Sequence, residues 1–265
     1  ANPDTDWSDW PDNYERGGLL FHGDNKDVLA HLLANGFRGK IKLIYIDPPF
    51  DSGADYVRKV QLRGELGGSQ KLDGEEYTLG EQIQYTDIWA NDNYLQFMYE
   101  RLLMLRELLA RDGVVSLHAD WKKMHYLRII LDEVFGSDNA INHVVWHYFG
   151  FKRRTSKNYP RKHDDLLIYS KTDDYCWNAQ TVPHSEEYLK RWKKDSEGRL
   201  YRDDVNPTGG GARVIYLDEI GDDLVDSVWD DIPPVNPVAR ERADYPTQKP
   251  EALAARIFKT FSNPG

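Results

Sequence analysis

Cysteine is almost absent from this chain. One residue, Cys176, in 265 rules out an internal disulfide framework. It also leaves no cysteine cluster for a zinc site, and the scarcity fits a reducing cytoplasm. Long apolar runs are missing too: none approaches the roughly 20 residues that a spanning helix needs, so no membrane partner is expected. The opening residues, Ala1-Asn2-Pro3-Asp4-Thr5-Asp6, are acidic and lack the charged-then-apolar pattern of a secretory signal. No internal repeat recurs at a fixed period. Positive charge is in deficit, with 34 Lys and Arg against 44 Asp and Glu, a net charge of −10. That balance argues against a general nucleic-acid coat protein. A hydrophobic content of 40% supports a real core, in one large domain or one domain with a sizeable insertion.

The distribution of charge says more than its sum. Between Phe151 and His163 lie Lys152, Arg153, Arg154, Lys157, Arg161 and Lys162, with no acid among them. Residues 190–202 add Lys190, Arg191, Lys193, Lys194, Arg199 and Arg202, against Asp195 and Glu197. Asp218 to Asp231 holds seven acids and no base. Basic segments interleaved with Tyr159, Trp192 and Tyr201 can track a phosphate backbone and stack on bases; solvated loops and helix faces explain them equally well.

The apolar run Ile41-Lys42-Leu43-Ile44-Tyr45-Ile46 ends in Asp47-Pro48-Pro49-Phe50. Neither proline can donate to a ladder, so the strand stops and leaves Asp47 at its carboxyl end, where open α/β sheets keep their ligand crevices. One carboxylate, rigid carbonyls and one π-face gathered in a turn suit a planar base bearing an exocyclic amine. Upstream, Gly18 to His22 reads as a strand and Gly23-Asp24-Asn25 as a turn. Asp24 then caps a helix that stops at Asn35-Gly36. Together these predict a parallel crossover of about 30 residues. Residues 51–92 are glycine-rich and lack a sustained period, the mark of a lid or mobile loop. Further expected elements are helices at Tyr94–Arg111, 122–135 and 251–261, the last with Leu253, Ile257 and Phe258 as its apolar stripe. Strands are expected at 114–118, 144–149, 166–169 and 213–217. His118 and Asp120 follow a strand and so also sit at the crevice side, though a strand end with a helix cap at Asp120 is the favoured reading; Trp146 and Trp177 read as core or loop anchors. The organisation read from these patterns is an N-terminal arm (1–17), a core (18–171), an inserted recognition region (172–244) and a return to the core (245–265).

Three segments, in order, carry a resemblance. Leu20-Phe21-His22-Gly23-Asp24-Asn25, Leu43 to Phe50, and Tyr245-Pro246-Thr247-Gln248-Lys249-Pro250-Glu251-Ala252-Leu253 resemble the β-group adenine-N6 DNA methyltransferases, above all the modification subunits of type III restriction systems. The similarity also takes in Phe97 to Leu102, His118 to Trp121 and Leu131 to Gly136. It implies an α/β, Rossmann-like, S-adenosylmethionine-dependent methyltransferase fold acting on N6 of a flipped-out adenine in double-stranded DNA. A homodimer and a restriction subunit are the further partners it implies. Asp47, Pro48, Pro49 and Phe50 would form the catalytic turn. Asp24 would hold the cofactor's adenine, and Thr247, Gln248 and Lys249 would lie at its methionine end. Lys152, Arg153, Arg154 and Lys157 are the DNA-binding candidates.

The resemblance departs from the family at one point. Its members bind the cofactor through a glycine-rich Asp-Pro-Phe-x-Gly-x-Gly loop placed just after the Thr-Gln-Lys-Pro helix, and this chain stops at Ser262-Asn263-Pro264-Gly265. The reading is therefore of a piece of a longer enzyme, with weak cofactor binding and no methylation expected of residues 1–265 by themselves. Two other readings stay open: cytosine-N4 methylation, whose enzymes more often carry serine where Asp47 stands, and a non-catalytic DNA-binding module.

Overall fold

A computed structural model describes residues 20–50, 54–59, 81–87, 93–150, 157–204, 209, 213–236, 238–243, 245 and 247–263. In chain order its elements are α1 (Asn25–Ala34), β1 (Ile41–Ile46), β2 (Ala54–Lys59), β3 (Glu81–Asp87), α2 (Asn93–Leu108), β4 (Leu109–Ala119), α3 (Met124–Phe135), β5 (Ala140–His147), β6 (His163–Ser170), β7 (Thr181–Val182), α4 (Glu186–Leu189), β8 (Lys193–Lys194), β9 (Leu200–Asp204), β10 (Arg213–Tyr216), α5 (Leu217–Ile220), β11 (Asp223–Leu224), β12 (Val228–Trp229) and α6 (Glu251–Phe261). Asn178–Asp226 form one compact unit, and the remainder of the chain forms the other.

The larger unit is an α/β layer built on a five-stranded sheet of order β1-β4-β6-β5-β12. β1 runs parallel to β4, and β12 to β5, while β6 is antiparallel to both of its neighbours. Leu117 sits opposite Leu167, and His147 opposite His163. The carboxyl ends of β1, β4 and β5 and the start of β6 therefore share one edge of the sheet. Alternation divides its faces. Val115, Leu117 and Ala119 of β4, with Leu167 and Tyr169 of β6, pack against Tyr94, Met98 and Leu102 of α2 and Leu127, Leu131 and Phe135 of α3. Each fully buried leucine contributes about 1.5–3 kcal/mol. Ser116 and His118 of β4 and Leu166 of β6 turn to the second face. There Trp146 and Trp229 are paired in register, and Arg256 of α6 lies 5.0 Å from the Trp229 ring.

Several sequence expectations hold and others shift. Asp24 caps α1 by accepting from the Lys26 amide at 2.7 Å, and α6 spans the predicted residues. Its buried stripe is Leu253, Ile257, Thr260 and Phe261, however, because helical phase turns Phe258 outward to 48% exposure. The strand expected at Gly18–His22 is not formed over residues 20–22, where Leu20 is exposed; residues 18 and 19 lie outside the described residues. The helix expected to reach Arg111 stops at Leu108, since Leu109 and Ala110 are buried in β4, with Leu109 in register opposite Ile41. Gly113 sits at the resulting irregularity, where an added Cβ would meet the Ile41 carbonyl oxygen at 2.9 Å. Within 51–92, expected to be without regular structure, β2 and β3 pair antiparallel with Tyr56 opposite Tyr85. β3 does carry a strand's alternation, with Ile83 and Tyr85 set between Gln82, Gln84 and Thr86, but it is brief within a long polar, glycine-rich stretch.

The smaller unit carries the three-stranded antiparallel sheet β10-β9-β8 and the β7–β11 pair. It falls within the region expected as a recognition insertion (172–244), and residues 172–177 and 227–244 group with the larger unit.

Candidate active site

The two prolines end β1, and Asp47 is left at the sheet edge. Pro48 is buried, while the Asp47 carboxylate keeps 32% exposure. The Lys249 ammonium donates to both Asp47 oxygens, at 2.8 and 3.0 Å, and stands 4.8 Å from the centroid of the Phe50 ring. Lys249 immediately precedes Pro250, whose extended backbone opens α6, so the helix start brings the lysine onto a turn 202 residues upstream. Tyr245 belongs to the same cluster: burial raises its phenol pKa, and the Asp47 charge raises it further.

On the α2 side of the turn is a cavity of about 280 Å³. Its walls are largely apolar, with Val28 and Leu29 of α1, Ile44 and Ile46 of β1, and Met98 and Leu102 of α2; Asn25, Asp47 and Arg101 are its polar groups. The Arg101 guanidinium lies 3.4 Å from the Phe97 ring centroid, donates to Asn25 Oδ1 at 2.5 Å and reaches Asp24 at 3.4 Å. Burial lowers its pKa, with Asp24 and Glu100 opposing, and a guanidinium remains a cation through such a shift.

On the other side the turn rests on aromatic and charged groups. The His118 ring is fully buried, 5.7 Å from Phe50 and edge-on to Trp146 at 5.8 Å. Its Nδ1 is 2.8 Å from the Tyr45 hydroxyl and its Nε2 3.1 Å from Asp164 Oδ2. The Tyr148 hydroxyl donates to Asp164 Oδ1 at 3.3 Å. Burial is the largest cause holding both phenols well above the ordinary tyrosine value; Asp47 and Asp164 add to it for Tyr45, as Asp164 does for Tyr148. Both phenols therefore stay protonated donors. A carboxylate only accepts, so the tautomer assigned from these partners places the proton on Nε2 and leaves Nδ1 to accept from Tyr45.

The predicted residues fall into three groups. Asp47, Pro48, Pro49 and Phe50 form one turn with Lys249 against it. Asp24 lies at the start of α1 and meets the cavity through Arg101, while Gln248 clamps its own loop, accepting from the Ala243 amide and donating to the Glu241 carbonyl. Thr247 hydrogen-bonds Tyr245. Lys152, Arg153 and Arg154 lie outside the described residues; Lys157 is exposed. In the second basic segment Lys193 pairs with Asp203, Arg199 pairs with Asp218, and Trp192 is 7% exposed. Of the two readings left open for this segment, the burial of Trp192 supports the structural one for that ring. The helix cap expected at Asp120 is displaced: α3 begins only at Met124, behind Lys123 with no side-chain cap bond. Asp120 instead closes the preceding turn by accepting from the amides of Lys122 and Lys123, while burial raises its pKa against those bonds. Sequence reasoning did not single out Tyr45, Arg101, Tyr148, Asp164 or Tyr245. For Tyr45, Tyr148 and Asp164 the available signal was polar residues in or beside apolar strands at this sheet edge; Arg101 and Tyr245 lay within segments that carry the resemblance.

The family model described as DNA methylase, of the N6/N4 class, matches residues 41–265. The chain belongs to this family. Among curated DNA methylases it is 31% identical over 179 residues to the type II methyltransferase M.EcaI of Enterobacter cloacae, covering 67% of this chain and 35% of that protein. It is 30% identical over 206 residues to the EcoPI Mod subunit, a type III restriction-modification enzyme of Escherichia phage P1, covering 76% of this chain and 32% of the relative. The chain thus spans about a third of the length of these relatives. Among solved structures, the M1.HpyAVI–SAM complex aligns with 92% of this chain and 76% of its own at 13% identity and a TM-score of 0.49.

Proposed function

We propose that this chain carries the target-base site of a DNA methyltransferase that moves a methyl group from S-adenosylmethionine to N6 of an adenine swung out of the duplex. The observation that carries the reading is the place of the Asp47-Pro48-Pro49-Phe50 turn, with a largely apolar cavity on one side and buried aromatic groups on the other. The cavity fits part of such a cofactor: apolar walls with the Arg101 guanidinium and the Asn25 side chain at one end suit a carboxylate-bearing amino-acid end. Asn25 and Arg101 would hold it there, leaving Asp47 to the base. A cofactor held there would supply the methyl group and keep the electron pair of its S–C bond on sulfur.

The remaining work falls to the chain. The adenine amine is a weak nucleophile because its lone pair is delocalised into the ring. A carboxylate offers about four acceptor directions, and Lys249 occupies two of those of Asp47. A free direction on Asp47 and the Pro48 carbonyl accept the two amine hydrogens, which fixes the nitrogen lone pair toward the methyl group. Phe50 stacks on the base. The proton that the nitrogen gives up on taking the methyl group would pass to Asp47, the adjacent acceptor. Rate enhancement is chiefly alignment, with electrostatic support as positive charge develops on nitrogen. A stacked base cannot reach the turn, so flipping is required. Duplex DNA is the partner this implies, and likeness to Mod subunits favours a restriction subunit as a second.

The test is Asp47→Ala in the complete protein. Methylation should fall by about 10²-fold or more, with cofactor affinity retained and N6-methyladenine as the product of the unaltered enzyme. Retention of most activity, or N4-methylcytosine as the product, would refute the reading.

A further inference from the structure

We propose that His118 is a positioning residue for the Phe50 ring, with Asp164 and Tyr45 as its anchors, so that the aromatic surface offered to the target base is set from beneath by a pinned imidazole. This deepens the proposed function and rests on it for the identity of the base, though not for the geometry.

A histidine with no exposed surface is a demanding choice for a core position, because both ring nitrogens must be satisfied. Leucine or phenylalanine would fill the space without partners. Here four strands cooperate to satisfy it: Tyr45 of β1 at Nδ1, Asp164 of β6 at Nε2, and Trp146 of β5 edge-on to a ring carried by β4 itself. Asp164 is fixed in turn by the hydroxyl of Tyr148, which directly follows β5. The imidazole is thus held at both nitrogens and at its edge, and it cannot rotate without breaking a bond. One further ring lies against it, that of Phe50, centroids 5.7 Å apart and planes inclined by 36°.

Two neighbours of Phe50 among the described residues differ in character. Lys249 reaches it only with the end of a flexible stem, whose ammonium is engaged by Asp47. His118 offers a rigid ring fixed at both nitrogens. A stacking ring at the end of a turn needs one immovable contact if its plane is to be the same before and after the base enters, and the described residues supply that contact at His118. Loss of the pin would leave Phe50 in place but disordered in its plane.

The test labels position 50 of this chain with 4-fluorophenylalanine and reads its fluorine resonance in the unaltered protein, in His118→Leu and in Asp164→Asn; the same label at the exposed Phe258 serves as a control. Both variants should shift and broaden the position-50 line and leave the position-258 line unmoved. An unchanged position-50 line in both, with only a lowered melting temperature, would show His118 to be ordinary core and overturn the proposal. If His118→Leu does not fold, Asp164→Asn decides by the same two outcomes. The fluorine line reports ring order without substrate, so this result and the fate of the methylation reading are separable.

Discussion

Lys249 and Asp47 lie 202 residues apart, and their contact ties the start of α6 to the end of β1. Its strength follows from its setting. Exposed ion pairs contribute about 0–1 kcal/mol, whereas breaking a buried one costs about 3–5 kcal/mol. With side-chain exposures of 16% and 32% this pair lies between those limits, and the approach of the ammonium to the Phe50 ring adds about 0.5–1 kcal/mol. Lys249→Met, which keeps the length of the stem, should therefore destabilise the larger unit by about 1–3 kcal/mol. That is a downward shift in urea midpoint of roughly several tenths of a molar. A double-mutant cycle with Asp47→Asn isolates the pair from the ring contact, and its coupling should be about 1–2 kcal/mol. Added salt should weaken the coupling without abolishing it, since partly buried charges are screened less than exposed ones. Urea unfolding followed by far-ultraviolet circular dichroism measures each corner of the cycle. Coupling below about 0.3 kcal/mol, the level of independent sites, would mean that the lysine is a surface contact and does not hold the carboxylate for the incoming amine.

Two further predictions concern charge elsewhere. Arg256 beside Asp231 holds that carboxyl below its ordinary pKa; stability from this pair should be fully present above the unfolded value of about 3.9 and be lost as pH falls through the lower folded value. Arg256→Met should flatten that acid limb in a series of thermal melts, and an unchanged limb would refute the assignment. For DNA binding, exposed Lys157 changed to Ala should reduce the salt slope of affinity by about one. Lys193→Ala should change it much less, because Asp203 already balances that ammonium at 2.6 Å. Equal effects in a salt titration would overturn the pairing argument.

What could be read from the sequence was local. A strand halted by two prolines, a helix capped by Asp24 and another opened at Pro250 each carry their instructions within a few neighbouring residues, and each stands where the pattern places it. The site's second layer has no such signature. Tyr45 and His118 are 73 residues apart, and His118 and Asp164 are 46 apart, so their meeting depends on strand order and register that no short window contains. The pattern of His118-Ala119-Asp120 shows a strand end and a cap, and Asp120 closes the turn that precedes α3. What the pattern omits is that β6 lies between β4 and β5, which brings Asp164 beside His118 and Trp146. The basic stretches were open to two readings for a related reason: that Lys193 and Arg199 meet Asp203 and Asp218 depends on strands that no short window pairs.

The parity of β1 ties these layers together. Ile44 and Ile46 pack toward α2 and line the cavity, while Tyr45 points to the opposite face and bonds His118. Asp47 follows directly, where the prolines forbid another step of the ladder, so its carboxylate stands at the boundary between the two compartments. Slipping β1 by one residue against β4 would exchange every side chain between faces. The phenol would then enter the apolar core, and an isoleucine would face the imidazole, leaving Nδ1 without its donor. The register Tyr45↔Ser116 and Ile46↔Leu117 is therefore as necessary to the site as the Asp-Pro-Pro-Phe turn. The turn supplies the groups proposed to hold an amine-bearing base, and the alternation before it decides that the cavity lies on one side of those groups and the aromatic support on the other.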